Sequence, residues 1–481
     1  MSHSESVPAL SPKKKLTLYD AVNSTLAQMA PAAGIYYGLP VILAATGIGS
    51  PLTILIAAVA ILLVGLNLTY FSKLHPSSGS MIKYIGMTFG GVTGTAASIA
   101  YLAGALFLAA SAFIELGGWT ADSLAHYGIH VHWVIPTLVL GLFVWSLTII
   151  GIDRSTKIAS VAMIIEIIVL AGVSIYVLLD PPSALSAKPL LPSSIEGGLS
   201  GIGLGFPLAI YLFIGFENSV ALSEETENPR RNTPRAVLFS IGILAVFFIF
   251  VSYSIIAGFG NDGAALTASA NPFVDLADKY LGRFSFLAII AGFTSIFGMT
   301  IACLNGFSRV AFNSAREGVL PKPITGVSRW GTPSSSLSLL TGLGLIAAIA
   351  FGYYGGDWVT GFGYLGTIGT IPLLFIYAAL NVAVMFDRKG KAPFLNKYVV
   401  PLLGTAAILL PLWAMMQPGQ PAPFSYFPWV IVAIIVLGLL YGKYVTKKDP
   451  TLAERIGAVT EHTDTPAADI TLTNARIEKA L

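Results

Sequence analysis

Charge is scarce in this chain. Asp, Glu, Lys and Arg make up 11% of its 481 residues, against about 25% in an average protein. A soluble chain of this length needs more charged surface than that, so a soluble globular fold is excluded. Cysteine is scarcer still. Cys303 stands alone, which excludes an intrachain disulfide and a thiolate cluster for a metal. The sequence also lacks a nucleophile–base constellation, a zinc motif and a phosphate-binding glycine loop. An enzyme is therefore not expected, and neither is a cofactor, a metal or a nucleic-acid partner. The histidines His126, His130 and His132 cluster in an expected outer loop, but no carboxylate or thiol completes a metal site with them.

Apolar residues dominate instead, at 55% of the chain, with a mean hydropathy of +0.76. Most apolar runs reach or exceed about 20 residues, the length that crosses ~30 Å of hydrocarbon. They predict an all-α polytopic membrane protein with twelve transmembrane helices, embedded in a lipid bilayer. The polar N-terminus with Lys13, Lys14 and Lys15 is followed by a long apolar run without a small-residue cleavage site, so no cleaved signal peptide is expected.

Basic residues orient the spans. With the N-terminus in the cytoplasm, all of the 27 Lys and Arg residues except Lys188, Lys279 and Arg283 fall on the cytoplasmic side. Both termini are then cytoplasmic, in a cell membrane, and the number of spans is even. The loop Glu224 to Arg235 reads as a solvated cytoplasmic surface. Asn67-Leu68-Thr69 matches a glycosylation sequon but lies inside a span, which argues against its use.

Two spans carry features that a plain anchor does not need. The first contains Gln28-Met29-Ala30-Pro31-Ala32-Ala33-Gly34. The sixth contains Pro207, Gly215 and Glu217 within Gly205 to Val220. Proline removes a backbone donor, glycine weakens a helix, and a mid-membrane carboxylate is costly unless it faces protein or water. Broken helices inside a bilayer survive where they line a cavity or are buried in protein. The two breaks lie five spans apart, which predicts an inverted repeat with a solute site between its halves. The expected divisions are an N-terminal tail (1–17), a first repeat of helices 1–5 (18–179), a second repeat of helices 6–10 (201–386), helices 11–12 (397–446) and a C-terminal tail (447–481).

Three motifs then resemble one family. They are Gly215-Phe216-Glu217-Asn218-Ser219 with the loop Glu224 to Ala236; Pro76-Ser77-Ser78-Gly79-Ser80 with Tyr84 and Gly86; and Ala315 to Pro321 with Thr332-Pro333. In this order they resemble the amino acid–polyamine–organocation permeases. The resemblance implies the five-plus-five fold of a sodium-coupled leucine transporter. It also implies a secondary-active importer of an amino acid or related amine working by alternating access, with a polyamine or organic-amine importer or a substrate exchanger as the alternative.

The residues are then weighed singly. Ala32, Ala33 and Gly34 stand where family members often carry a glycine-serine-glycine turn; small residues free amides for a substrate carboxylate, or simply allow close helix packing. Tyr211 lies where related exchangers place an aromatic that covers the substrate, and otherwise fills the core. Phe213, Ile214 and Gly215 are expected to offer carbonyls to a substrate ammonium. Glu217 either bridges the broken helix to helix 1, senses protons, or is a satisfied structural carboxylate. Glu166 in helix 5 matches a position where proton-coupled relatives have a lysine. Removal from water favours the neutral form of a carboxyl, so Glu166 is the candidate site for a coupling proton, with a sodium ligand or a structural acid as alternatives. Glu115 in helix 3 either attracts a cationic substrate or lies near the outer interface without a role.

Overall fold

The computed structural model of the protein describes residues 14–269, 271–387, 393–417, 422–449, 452 and 456. Of the expected tails, 1–13 and 457–481 lie outside the described residues, as do Arg388, Lys389 and Lys391. Among the described residues the secondary structure is helical, without strands.

The first expected span is made of α1 (Leu18–Gln28), α2 (Pro31–Ala33) and, after a π turn over Gly34–Gly38, α3 (Leu39–Thr46). A capping box starts it. The Thr17 N–H donates to Asp20 Oδ2 at 2.9 Å, and the Asp20 N–H donates to Thr17 Oγ1 at 3.3 Å. The break between α1 and α2 follows from Pro31. A residue before proline is kept out of the right-handed helical region, and Ala30 sits at φ 47°, ψ 71°. Then come α4 (Ser50–Leu74), α5 (Ser80–Phe89), α6 (Gly91–His126), α7 (Val134–Ile149) and α8 (Ile152–Leu179).

The sixth expected span is also split. It holds α9 (Leu199–Tyr211), irregular turns over 212–217, and α10 (Asn218–Ala221). Helices α11 (Pro229–Gly258), α12 (Gly263–Ala268), α13 (Pro272–Leu281), α14 (Phe286–Glu317), α15 (Ser334–Tyr353), α16 (Trp358–Phe386), α17 (Val400–Met415) and α18 (Phe427–Lys448) complete the chain. Helices α5, α12 and α13 were not anticipated. They lie in segments read as loops, and Asp262 and Asn271 cap α12 and α13 through their side chains.

Among the described residues, nine helical segments are long and apolar enough to cross a bilayer; the first is the run Leu18–Leu74, and Val134–Ile149 is a shorter apolar helix. Around the two breaks, α16 packs along α6, α4 along α11, and α8 along α14, while α1 touches α8, α10, α11 and α14. Polar side chains hold buried crossings together. Asn67, the sequon residue, is buried in α4 and donates to Asn381 Oδ1 of α16 at 2.8 Å.

The chain ends are not loose where they are described. The Leu16 N–H donates to the Glu225 carbonyl, and the Glu227 N–H donates to the Leu16 carbonyl, both at 2.8 Å. This short parallel bridge pins the N-terminal segment to the loop after α10. Leu16 is buried with Leu222 and Ile152. At the other end, Leu452 and Ile456 pack with Val319, and Ile456 fills the space over Gly86 and Gly94 that a side chain there would need.

Candidate functional site

The site grows from the two breaks. Where α2 begins, the first amides of a helix lack partners within it. Pro31 has none to offer, and the Gly34 N–H returns to the Ala30 carbonyl at 2.9 Å. The remaining two are taken by side chains from elsewhere in the fold. The Ala32 N–H donates to Glu166 Oε2 at 2.8 Å, and the Ala33 N–H donates to Ser295 Oγ at 3.1 Å. Glu166 comes from α8 and Ser295 from α14, so three spans meet on two adjacent amides. Glu166 is fully buried, and its Oε1 has no partner. Gly34 faces the other way: a Cβ there would lie 3.2 Å from both Leu212 and Phe248. Its smallness serves the approach of α2 to the second break.

The second break turns at Gly215, with φ 105°. A side chain there would be strained, and its Cβ would also lie 2.7 Å from Gln28 Cγ. The Phe213 and Gly215 carbonyls accept from the Phe216 and Asn218 N–H groups at 3.2 and 3.0 Å, which leaves each one lone pair. Ile214 is half-buried.

Glu217 does not bridge to helix 1 as one sequence reading had it. Its Oε2 accepts from the Tyr377 hydroxyl of α16 at 2.9 Å, and its Oε1 is unpartnered. The bridge between the breaks is Asn218. Its Nδ2 donates to the Ser24 carbonyl at 3.1 Å and contacts Ser24 Oγ at 3.0 Å. Gln28 Oε1 and Asn218 Oδ1 are buried without partners, and both lie against Gly306 of α14. Gln28, Asn218 and Ser295 therefore join the site beside the residues anticipated from sequence. A glutamine inside an apolar span was the available signal for Gln28; nothing marked Ser295.

Tyr211 ends α9 half-buried, with its hydroxyl beside Gly366 of α16, which also lies against Ser111 of α6. One turn along α6 from Ser111 is Glu115. It is buried, at 1% exposure, and its Oε1 accepts no hydrogen bond. Toward the C-terminal end of α6, Tyr37 packs on Trp119, Trp358 and Phe362 with ring centroids 5.7–5.9 Å apart. Above it, Asp122, Trp133 and the exposed His130 and His132 line a shallow pocket.

The end of the molecule around the C-terminus of α14 differs in kind. The loop from Glu224 was expected to be solvated, yet Glu225 is fully buried. Arg309 of α14, also fully buried, pairs with both Glu225 oxygens. Its Nη1 also donates to the Asn305 carbonyl at 2.9 Å. Beside this pair, Arg316 makes two bonds to Glu224 at 3.0 and 2.7 Å, and the Ser78 N–H donates to Glu224 Oε1 at 3.1 Å. Burial alone raises the Glu224 carboxyl. The hydrogen bonds and charge of Arg316, with the Ser78 amide and Lys83, more than offset it and hold the carboxyl below its usual range. The correction has a plain cause: the loop carries the carboxylates that neutralise two arginines at the end of α14. Arg309 lies inside an expected span, and that was a signal for a buried partner.

A family model described as amino acid permease matches residues 21–440. The chain is 23% identical over 436 residues to the branched-chain amino acid permease BcaP of Bacillus subtilis, covering 83% of this chain and 87% of that protein. It is 26% identical to the methylthioribose transporter of the same organism, with 83% and 88% covered. It is also 26% identical to the BcaP of Lactococcus lactis, with 84% and 89% covered. These matches and the long apolar helices make it a multi-pass membrane transporter and not an enzyme. The chain belongs to the amino acid permease family of the amino acid–polyamine–organocation superfamily.

Proposed function

We propose that this protein imports an amino acid or a related amine by alternating access, with a proton as the coupling ion. The observation that carries the reading is the Glu166 carboxylate on the Ala32 amide at the first break. A titratable side chain thereby touches the hinge between two half-helices, where a change of protonation alters the packing of three spans.

The rest of the reading follows from the paired breaks. Twelve spans would form two inverted repeats, 18–179 and 201–386, with 397–446 outside them. The split in α1–α3 and the split in α9–α10, five spans apart, support that division. Ala32, Ala33 and Gly34 would hold the substrate carboxylate, the carbonyls of Phe213, Ile214 and Gly215 its ammonium. Tyr211 would cover it, and Glu217 would hold the second break against α16. Both termini would be cytoplasmic in the cell membrane. Leu16 and Ile456, near the two ends, dock at the end of the molecule that also carries Arg316 and Val319, which supports a shared side. The branched-chain permeases among the relatives make aliphatic amino acids the first solutes to test.

The test is uptake in proteoliposomes. The wild type is expected to exchange labelled amino acid by counterflow and to concentrate it under an inward proton gradient without sodium. Glu166→Gln is expected to keep exchange and lose proton-driven accumulation. Normal accumulation by that variant would return Glu166 to a structural role.

A second reading is import of a polyamine. Glu115, Glu166 and Glu217 are all buried, and each has one oxygen without a partner. Several ammonium groups on one solute would satisfy them.

A further inference from the structure

The amides assigned to the substrate carboxylate are already occupied. Glu166 holds the Ala32 N–H at 2.8 Å, and Ser295 holds the Ala33 N–H at 3.1 Å. The helical run that starts at Pro31 continues unbroken to Thr46, so its N-terminal end favours negative charge as well as hydrogen-bond acceptors. One amide hydrogen cannot serve two carboxylates, and two ionised carboxylates on neighbouring amides repel each other in a medium of low dielectric. The Glu166 Oε1 has no hydrogen-bond partner of its own.

We propose that Glu166 is a tethered stand-in for the substrate carboxylate: it seals the Ala32 amide in the empty transporter and yields it to the incoming substrate on taking up a proton. This rests on the reading of Ala32 to Gly34 as the carboxylate site, and it deepens that reading in two respects. It fixes the substrate class as a solute with a carboxylate, which excludes polyamines and other amines without one. It also gives the coupling a stoichiometry. One proton arrives on Glu166 as one substrate carboxylate arrives on the amide. The same proton leaves when the substrate departs and the ionised Glu166 returns.

The surroundings of Glu166 suit this role. Helix α8 packs against α1, α2, α7, α11, α13 and α14. The titratable side chain that feels the Glu166 charge is Tyr36, in the π turn after α2. Its hydroxyl donates to the Ala288 carbonyl at 2.8 Å, so it is not a proton donor to Glu166. The groups that hold Glu166 are uncharged: the Ala32 amide and Ser295. With no charged partner among the described residues, the ionised carboxylate depends on hydrogen bonds that a substrate can take over.

The experiment is equilibrium binding of labelled leucine to purified full-length protein between pH 5.5 and 8.5. Wild type, Glu166→Gln and Glu166→Ala are compared, and folding is checked by monodisperse gel filtration. Isoamylamine, which is leucine without its carboxylate, is the competitor. In the wild type, affinity is expected to fall about tenfold for each pH unit above the ionisation of Glu166. Glu166→Ala leaves the amide open, so its affinity is expected to be high and independent of pH. Glu166→Gln still presents an amide oxygen to Ala32, a weaker acceptor than a carboxylate. It is expected to be independent of pH, with affinity between the other two at pH 8.5. Isoamylamine is expected not to displace leucine from any of the three.

A wild-type pH slope that survives in both variants overturns the proposal. So does equal competition by isoamylamine, which would place the carboxylate elsewhere while leaving proton coupling through Glu166 standing. Should leucine not bind at all, a screen of other labelled amino acids against the corresponding amines takes its place; binding of amines alone overturns the proposal. Absence of counterflow with every amino acid and amine would instead sink the importer reading itself.

Discussion

The region around the two breaks and the C-terminal end of α14 both bury charge, and they treat it in different ways. At the end of α14, Arg309 and Glu225 are fully buried, and the guanidinium meets both carboxylate oxygens. Around the two breaks, Glu115, Glu166 and Glu217 are as deeply buried, yet each keeps an oxygen with no donor. Gln28 and Asn218 add two more such atoms. A buried polar group without a partner costs about 1–3 kcal/mol. The Arg309–Glu225 pair is closed on itself, although Arg316 Nε and Ser223 Oγ nearby have no partner. The difference lies in the carboxylates: around the breaks each keeps an acceptor oxygen without a donor, whereas Glu225 meets an arginine with both of its oxygens.

The largest test of this contrast is Arg309→Met. It strands Glu225 in the interior and is expected to cost ~3–5 kcal/mol, as for other broken buried pairs. Adding Glu225→Leu removes the stranded charge and is expected to restore most of the loss. Melting of the two proteins in detergent gives the answer; a single variant as stable as the wild type would mean that this end is wet and its pair dispensable. Gly215→Ala is expected to come second, at roughly 1–3 kcal/mol, because alanine must accept φ 105° against Gln28. Transport is expected to fall further than stability, since the second break would re-form elsewhere. Uptake at the wild-type rate from Gly215→Ala vesicles would deprive that turn of its role. Asp357→Ala is the smallest. Asp357 caps α16 by accepting from the Thr360 N–H at 2.9 Å at an exposed end. The loss is expected to be about 1 kcal/mol, with uptake unchanged. An effect on uptake would show that even the outer rim of α16 participates.

Much of the fold was legible because its signals are long and local. Apolar runs of membrane length mark spans, and a proline after a short helix marks the first break through Ala30. The second break was legible in Gly215, whose backbone no other residue adopts easily. The roles of side chains were less legible, because they depend on partners far away in sequence. Glu217 looked like a bridge to helix 1, but Tyr377 reached it first and Asn218 made the bridge. Glu224 and Glu225 looked solvated because a charged loop usually is; only the fold brings Arg309 and Arg316 to them. Ser295 is one serine in an apolar helix, and no spacing links it to Ala33. Glu166 stood out as an isolated acid, while its partner was a backbone amide, which no side-chain pattern can announce.

The bridge at Leu16 has a consequence for how the protein is made. Its partners, Glu225 and Glu227, leave the ribosome about 200 residues later, or some 10 to 40 seconds at ordinary rates of synthesis. During that time the first spans must insert with their leading segment undocked. Docking of Leu16 therefore waits until the second break has been made, and it joins parts of the chain far apart in synthesis. A fusion joined directly to Leu16 would compete with that docking even if every helix were already in the bilayer. An N-terminal tag is therefore expected to leave docking intact as long as the Leu16 backbone stays free to pair.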